Sequence, residues 1–184
     1  MLNEPFDPGR LLQALGKARA EVVMIGGLAL VSRGIIRPTA DLDVCYRVSR
    51  ESSEILVSAL SPLHPRLRLA PSPEASLLVA AFRFDARTLR QGSNLTLMTD
   101  AGPLDLLAHV PGLGGYNEVL AAATSLELYG VAIAVLDIAG LAQAKRAAGR
   151  AKDLAVLPEL EALLNMRARQ DAPDEASGED SEAT

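Results

Sequence analysis

The sequence has little of several residue types, and each shortage excludes a class of protein. Its 184 residues contain one cysteine, no tryptophan and 3% aromatic residues. A single cysteine excludes an internal disulfide, and the scarcity of aromatic rings argues against a protein that stacks single-stranded bases. No run of 18 apolar residues occurs, so no membrane-spanning helix is predicted. A charged leader followed by an apolar run is also missing, and we therefore expect a cytoplasmic protein.

Charge is distributed unevenly along the chain. The net charge is −5, but residues 169–184 hold six acidic residues and one base. The other 168 residues carry 17 acids and 17 bases and are neutral overall. A broad nucleic-acid-binding surface needs clustered excess Lys and Arg, so neither part of the chain indicates one.

The apolar share of 49% is enough for a core of Leu, Val, Ile and Ala. Helical and strand patterns follow one another along the chain and predict an α/β (α+β) fold, a small mixed sheet flanked by helices with a helical C-terminal segment. The glycine-rich loop at 111–115 separates a predicted core at 1–110 from a mostly helical segment at 111–168. Residues 169–184 are acidic, lack apolar anchors and are predicted to be a disordered tail.

Individual elements are predicted from capping residues and from apolar periodicity. Strands are expected at 22–25, 41–48, 66–70, 94–99 and 104–108, with a hairpin at 126–134 that turns at Tyr129-Gly130. Helices are expected at 8–20, 28–34, 49–60, 117–125, 138–149 and 152–167, and another is expected to start at 72–74. Pro158 is expected to kink or break the last helix. Residues 75–92 fit either period.

The stretch from Val22 to Tyr46 carries the motifs on which a functional prediction depends. A buried strand, a glycine pair and a short apolar helix are followed at alternate positions by Arg37, Thr39, Asp41 and Asp43. Alternate residues of a strand point to one face. Asp41 and Asp43 therefore aim two carboxylates at one spot, where they repel each other unless a cation lies between them. Hard oxygen ligands of this kind suit Mg²⁺, which keeps several waters and shares substrate phosphates.

The order of buried strand, Gly-Gly, helix, Arg-x-Thr and Asp-x-Asp resembles the nucleotidyltransferase superfamily related to DNA polymerase beta. Within it, the chain is most similar to the bacterial branch of AbiEii-type toxins, over roughly residues 20–165. The resemblance implies a nucleotidyltransferase fold and Mg²⁺-dependent transfer of a nucleoside monophosphate from an NTP to an acceptor, either tRNA or a partner protein. It also implies the toxin half of a toxin–antitoxin or phage-defence pair, with a cognate antitoxin as partner.

Asp105 is the candidate for a third carboxylate. It is a lone acid in the apolar strand from Leu104 to Ala108 that returns from a hairpin. Taken alone, such a residue is more often at a sheet edge or solvated. In the family that the chain resembles, an acid at this place completes the metal site. The resemblance therefore implies that one or two Mg²⁺ ions and catalysis depend on Asp41, Asp43 and Asp105.

The glycine pair and the residues before the aspartates are candidates for nucleotide binding. Gly26 and Gly27 would let the backbone approach a triphosphate, with amides at a helix N-terminus favouring the anion. Arg37 and Thr39 lie just before the aspartate pair. Arg37 is either a surface charge or a clamp for a phosphate or an acid near the metals.

Four bases with no acid between them lie near the C-terminus, at Lys145, Arg146, Arg150 and Lys152. They form either a solvated helical face and its loop or a triphosphate site. The second interpretation follows from the resemblance, because Gly-Arg-x-Lys-Asp looks like the family's C-terminal signature; it implies that Lys145, Arg150 and Lys152 bind the triphosphate. Asp153 is expected to cap the last helix or to pair with a base.

A second function remains open at this point. The chain is either the enzyme described above or a non-catalytic nucleotide-binding or interaction module that acts by contact with a partner such as an antitoxin. No other candidate metal ligands accompany His64 or His109 in the sequence, so both are expected to be structural.

The acidic tail is predicted to be dispensable for folding. Residues 170–184 offer no apolar surface to bury, so ordering them would cost entropy without a compensating gain. Truncation after Arg169 is expected to leave the melting temperature unchanged in a thermal unfolding experiment. A loss of several degrees would show that the tail docks on the body.

Overall fold

The computed structural model describes residues 6–170, and within them the chain forms one mixed sheet of seven strands with helices packed against it. The strands are β1 Val22–Ile25, β2 Leu42–Tyr46, β3 Arg66–Leu67, β4 Leu95–Thr99, β5 Gly102–Leu107, β6 Ala123–Leu128 and β7 Val131–Leu136. The helices are α1 Pro8–Lys17, α2 Gly26–Ser32, α3 Arg50–Leu60, α4 Pro73–Ala81, α5 Ala86–Arg90, α6 Tyr116–Ala121, α7 Ile138–Ala148, α8 Ala151–Leu154 and α9 Leu157–Gln170.

The sheet has the strand order β3-β4-β5-β2-β1-β7-β6. Two neighbouring pairs are parallel, β2 with β5 and β1 with β7, and the other four pairs are antiparallel. The predicted α/β fold with a small mixed sheet flanked by helices is therefore confirmed. The parallel pair β2–β5 lies near the centre of the sheet and carries the residues of greatest functional interest.

Helix starts follow the capping side chains seen in the sequence. The hydroxyl of Ser49 accepts a hydrogen bond from the amide of Ser52 at the start of α3, and the Asp137 carboxylate accepts one from Gly140 at the start of α7. Ser72 caps α4 in the same way through the amide of Ala75. These side chains satisfy amides that have no partner within the helix, so helix starts could be predicted locally.

The central strands follow their apolar pattern. All four residues of β1 are buried, as expected for a strand covered on both faces. In β2 and β5 every second residue is a fully buried aliphatic side chain: Leu42, Val44, Leu104 and Leu106. The residues between them in the same strands include Asp43 and Asp105, which are only partly buried. One face of this strand pair therefore belongs to the core while the other presents carboxylates.

Three parts of the fold differ from the sequence prediction. The hairpin turning at Tyr129-Gly130 is present, but β7 also pairs with β1 and so extends the sheet across the predicted division at residue 110. The division into a core at 1–110 and a mostly helical segment at 111–168 packed on that core stays a prediction. The expected last helix is divided into α8 and α9, because the chain turns at Ala155 and Pro158 lies in the first turn of α9. Helix α9 continues to Gln170, and residues 171–184 of the predicted tail lie outside the described residues.

The ambiguous stretch at 75–92 contains α4 and α5. Helix α4 is rich in Leu, Val and Ala, yet none of its residues is buried, and Leu77 is 74% exposed. Across residues 6–170 no helix combines the length and the apolar character needed to cross a bilayer.

The structure predicts different costs for two helical leucines. Leu15 of α1 is fully buried, so Leu15→Ala is expected to lower the free energy of unfolding by about 2–5 kcal/mol. Leu77→Ala in α4 makes the same chemical change at an exposed position and is expected to stay within about 0.5 kcal/mol. Urea unfolding of both variants measures the difference. A comparable loss in both would mean that α4 is packed in solution.

Candidate functional site

Three aspartates come together at one place on the sheet. Asp41 directly precedes β2, Asp43 lies on β2 and Asp105 lies on β5, and one carboxylate oxygen of each lies within 4.8 Å of the others. The parallel pairing of β2 with β5 sets Asp43 beside Asp105, so both side chains leave the same face of the sheet. The convergence predicted from the sequence is therefore present, including the contribution of Asp105.

The carboxylates make each other harder to ionise. Burial, followed by the charges of Asp41 and Asp105, raises the pKa of Asp43 to about 6. Burial also raises the pKa of Asp105, although the nearby Arg68 acts in the opposite direction. A bound cation offsets the repulsion among three carboxylates this close together. Hard oxygen donors suit a divalent ion such as Mg²⁺. The donor set therefore fits the metal that the sequence implied.

The glycine pair provides the room that Asp43 and Thr39 need. Gly26 has a positive φ of 69°, and a Cβ on it would lie 1.9 Å from Oδ2 of Asp43. A Cβ on Gly27 would lie 2.6 Å from Oγ1 of Thr39. The amide of Gly27 also hydrogen-bonds the Asp43 carboxylate and lowers its pKa. That the pair also lets the backbone approach a phosphate stays a prediction.

Arg68 pairs with the third carboxylate. Its Nη2 lies 3.3 Å from Oδ1 of Asp105, and its own amide donates to the carbonyl of Thr96 at 2.8 Å. Arg68 directly follows the edge strand β3, and β4 lies between that strand and β5. The guanidinium therefore reaches across one strand to hold one side of the carboxylate cluster.

Two bases that are predicted to bind the triphosphate, Lys145 and Arg150, form salt bridges with one buried acid, Asp153. Lys145 Nζ lies 2.8 Å from Oδ1 of Asp153, and Arg150 Nε lies 2.5 Å from Oδ2 of Asp153. The Asp153 side chain is 1% exposed. Burial raises its pKa, but the hydrogen bonds and charges of Arg150 and Lys145 outweigh burial and hold the pKa below its usual range. Of the two predicted roles for Asp153, pairing with a base is the one observed, and it pairs with two.

The other three side chains predicted to bind the nucleotide differ in their contacts: Arg37, Thr39 and Lys152. Arg37 forms a salt bridge of 2.6 Å with Glu159 of α9, while its Nε has no hydrogen-bond partner among residues 6–170. The hydroxyl of Thr39 donates to the carbonyl of Asp41 at 3.2 Å and so steadies the approach to the aspartate pair. Lys152 is exposed on α8.

A single cleft of about 720 Å³ contains every residue predicted for the site. Its lining includes Gly26, Gly27, Arg37, Thr39, Asp41, Asp43, Asp105, Lys145, Arg150 and Lys152. The carboxylates come from β2, β5 and the loop before β2, and the three bases from α7, α8 and the turn between these helices. The two histidines lie elsewhere: His64 contacts Asp100 at 2.5 Å, and His109 is exposed outside the lining. The roles assigned to the ten residues stay predictions.

Three residues of the site were missed or only partly anticipated. Arg68 carried no signal, because the sequence does not reveal that β3 lies two strands away from β5. Glu159 was not singled out from the sequence, and only the structure shows it in the first turn of α9, paired with Arg37. Asp153 was expected as a helix cap or an ion-pair partner, and only its complete burial shows that it serves two bases at once.

No sequence model of a known protein family matches this chain, and no curated protein is similar to it in sequence. The structure resembles solved structures, among them a crystal structure from Thermotoga maritima of a protein described as a candidate nucleotidyltransferase. The two chains are 12% identical and superpose with a TM-score of 0.45, covering 92% of this chain and 99% of the other. At this distance the function of the present chain rests on its own residues.

The raised pKa of Asp43 predicts a pH-dependent gain in stability for Asp43→Asn without metal. Because the folded protein binds the Asp43 proton up to about pH 6 and the unfolded chain only to about 3.8, stability falls as the pH rises through this window. Asparagine does not ionise, so Asp43→Asn removes this loss of stability, which amounts to at most roughly 3 kcal/mol. In the presence of a chelator, the melting temperature of Asp43→Asn is expected to exceed that of the wild type by several degrees at pH 8 and hardly at all at pH 4.

Asp100→Asn is the matched control for this experiment. The hydrogen bond from His64 lowers the pKa of Asp100, so ionisation at this position does not oppose folding. No gain at pH 8 is expected for Asp100→Asn. An equal gain for Asp43→Asn at pH 4 and pH 8 would contradict the electrostatic explanation.

Proposed function

We propose that this protein is a divalent-metal-dependent nucleotidyltransferase of the superfamily related to DNA polymerase beta. It transfers a nucleoside monophosphate from an NTP to an acceptor. The observation that carries the proposal is the convergence of Asp41, Asp43 and Asp105 in a cleft that Lys145, Arg150 and Lys152 also line. In this proposal the three aspartates hold one or two Mg²⁺ ions.

The size and charge of the cleft are suited to a nucleotide. A volume of about 720 Å³ lies within the range of small-molecule sites. Three carboxylates, two divalent ions and a triphosphate leave a deficit of roughly three positive charges by whole-charge counting. Arg37, Lys145, Arg150 and Lys152 line the cleft, and Arg68 pairs with Asp105. Asp153 and Glu159 offset two of these five positive charges. The remaining three positive charges match the deficit.

The reaction class follows from these parts. An acceptor oxygen attacks the α-phosphorus, the bond from that phosphorus to the bridging oxygen breaks, and pyrophosphate leaves with the electron pair. Bound divalent ions stabilise the attacking and leaving oxygens in reactions of this type. The chain's own contribution is positioning: Gly26 and Gly27 leave room for Asp43 and Thr39, Arg68 holds Asp105, and the bases of the cleft bind the phosphates.

The cellular role is proposed from the sequence motifs. Their similarity to AbiEii-type toxins supports a role as the toxin of a toxin–antitoxin or phage-defence pair, acting in the cytoplasm on tRNA or on a partner protein. A cognate antitoxin is then the expected protein partner.

One observation favours a second candidate, a non-catalytic nucleotide-binding or interaction module. Three of the four bases of the cleft already have acidic partners, because Lys145 and Arg150 contact Asp153 and Arg37 contacts Glu159. Such pairing is compatible with a site that binds a nucleotide weakly or exchanges it for a partner's acidic group. The intact set of three carboxylates favours the enzyme.

Labelling with each of the four α-³²P-labelled NTPs tests the enzyme. The protein is incubated with MgCl₂, total tRNA and cell lysate, and transfer of label to RNA or protein is expected with one or more NTPs. Asp43→Asn and Asp105→Asn are expected to reduce transfer at least about a thousandfold, because each removes a charge of the metal site, and a chelator is expected to abolish it.

Glu54→Gln is the control, since Glu54 is an exposed carboxylate on α3 that pairs with Arg50 outside the cleft. It should transfer label at the wild-type rate. NTP binding without any transfer of label would favour the interaction module. Undiminished transfer by Asp43→Asn would remove the aspartates from the mechanism.

A further inference from the structure

We propose that Asp153 is a positioning residue that holds Lys145 and Arg150 in the geometry needed to bind a triphosphate. This inference rests on the proposed function and adds to it the part of the site that orients the bases. Asp153 itself touches neither the substrate nor the metal in this proposal. It acts only through the two side chains that it fixes.

The contacts of Asp153 use both of its carboxylate oxygens. Oδ1 accepts a hydrogen bond from Nζ of Lys145 at 2.8 Å, and Oδ2 accepts one from Nε of Arg150 at 2.5 Å. The Asp153 side chain is 1% exposed. Lys145 comes from α7 and Asp153 from α8, so the contact connects two helices. Each base is thereby restricted to one region of the cleft instead of moving freely in solvent.

The local chain conformation makes this contact possible. Gly149 ends α7 in the left-handed conformation, with φ 66°, and its amide returns to the carbonyl of Lys145 at 3.2 Å. This conformation suits glycine because a Cβ disfavours positive φ. The chain then turns into α8, and Asp153 arrives beside Lys145, eight residues earlier in the sequence.

Stability alone is a weak reason for a buried ion pair. Removing charges from water costs free energy that their attraction often only balances, so an apolar side chain at such a position is frequently as stabilising. A buried acid that holds two bases at the lining of a cleft is better explained by what the bases do. Both bases also interact electrostatically with the carboxylate cluster. Lys145 offsets part of the rise in the pKa of Asp43, and the hydrogen bond to Asp153, with a smaller contribution from Asp43, raises the pKa of Arg150.

Three explanations of Asp153 predict different properties for Asp153→Asn. If its charge acts only through the field in the cleft, removal of a negative charge near the triphosphate strengthens anion binding. If Asp153 positions the bases, the asparagine NH₂ replaces one of the two acceptor oxygens. The base that faced this oxygen loses its acceptor and becomes mobile, and anion binding weakens. If the pair is merely structural, the melting temperature falls while anion affinity is unchanged.

Inorganic tripolyphosphate in the presence of Mg²⁺ is the probe, because it contains the triphosphate chain but no nucleobase. Calorimetric titration well below the melting temperature is expected to show about tenfold weaker binding for Asp153→Asn than for the wild type. Circular dichroism verifies that the variant is folded. Equal or tighter binding by folded Asp153→Asn overturns the proposal.

Glu161→Gln is the matched control. Glu161 of α9 pairs with Arg146 of α7 at 3.0 Å, and neither residue lines the cleft. This control removes an acid that links α7 to α9, as Asp153 links α7 to α8. Its tripolyphosphate affinity is expected to stay within about twofold of the wild type, as for an exposed pair. An equal loss in both variants overturns the proposal in favour of general loosening of the helices.

Asp153→Glu provides a second variant if Asp153→Asn does not fold. It keeps the charge and displaces the carboxylate by one methylene, so any loss of affinity is positional. Wild-type affinity in Asp153→Glu, if Asp153→Asn is unfolded, overturns the proposal. Failure of the wild type to bind tripolyphosphate overturns both this inference and the proposed triphosphate site, whereas wild-type binding that Asp153→Asn retains overturns this inference alone.

Discussion

The repulsion among three carboxylates is the constraint on which the rest of the site depends. The parallel pairing of β2 with β5 places Asp43 beside Asp105, and the loop before β2 adds Asp41. Because ionisation of Asp43 and Asp105 opposes folding, the arrangement is retained at a cost in stability unless cations balance it. Two neighbouring residues make this arrangement possible. Gly26 leaves room for the Asp43 carboxylate, and Arg68 brings a positive charge to Asp105.

The positive charge that lines the cleft with the carboxylates is itself held by acids. Asp153 holds Lys145 and Arg150, and Glu159 holds Arg37. The cleft therefore has two sets of charged groups, each connected to the sheet or to helices by hydrogen bonds. A site of this kind is prepared for a ligand that carries both bound cations and phosphates, because such a ligand satisfies both sets together. This complementarity is the physical basis of the nucleotidyltransferase proposal.

Much of the fold and of the carboxylate cluster could be predicted from local patterns. The buried strand at 22–25, the caps at Ser49 and Asp137 and the hairpin that returns through Asp105 each depend on residues close together in the chain. Joining of β7 to β1 could not be predicted, since strand order depends on which apolar faces meet across more than 100 residues. The contact of Arg68 with Asp105 depends on the same long-range order and was missed for the same reason.

The sequence by itself determined which groups the site contains. The strand period of two predicted that Asp41 and Asp43 would meet, and the structure places Asp43 on β2 and Asp41 in the loop before it. The spacing of bases near Gly149 indicated a second charged region. Tertiary structure decided how those groups are used. Only the folded chain shows that the glycine pair makes room for side chains and that Asp153 is buried between two bases. Burial and close approach are properties of the packed molecule, and no local pattern records them.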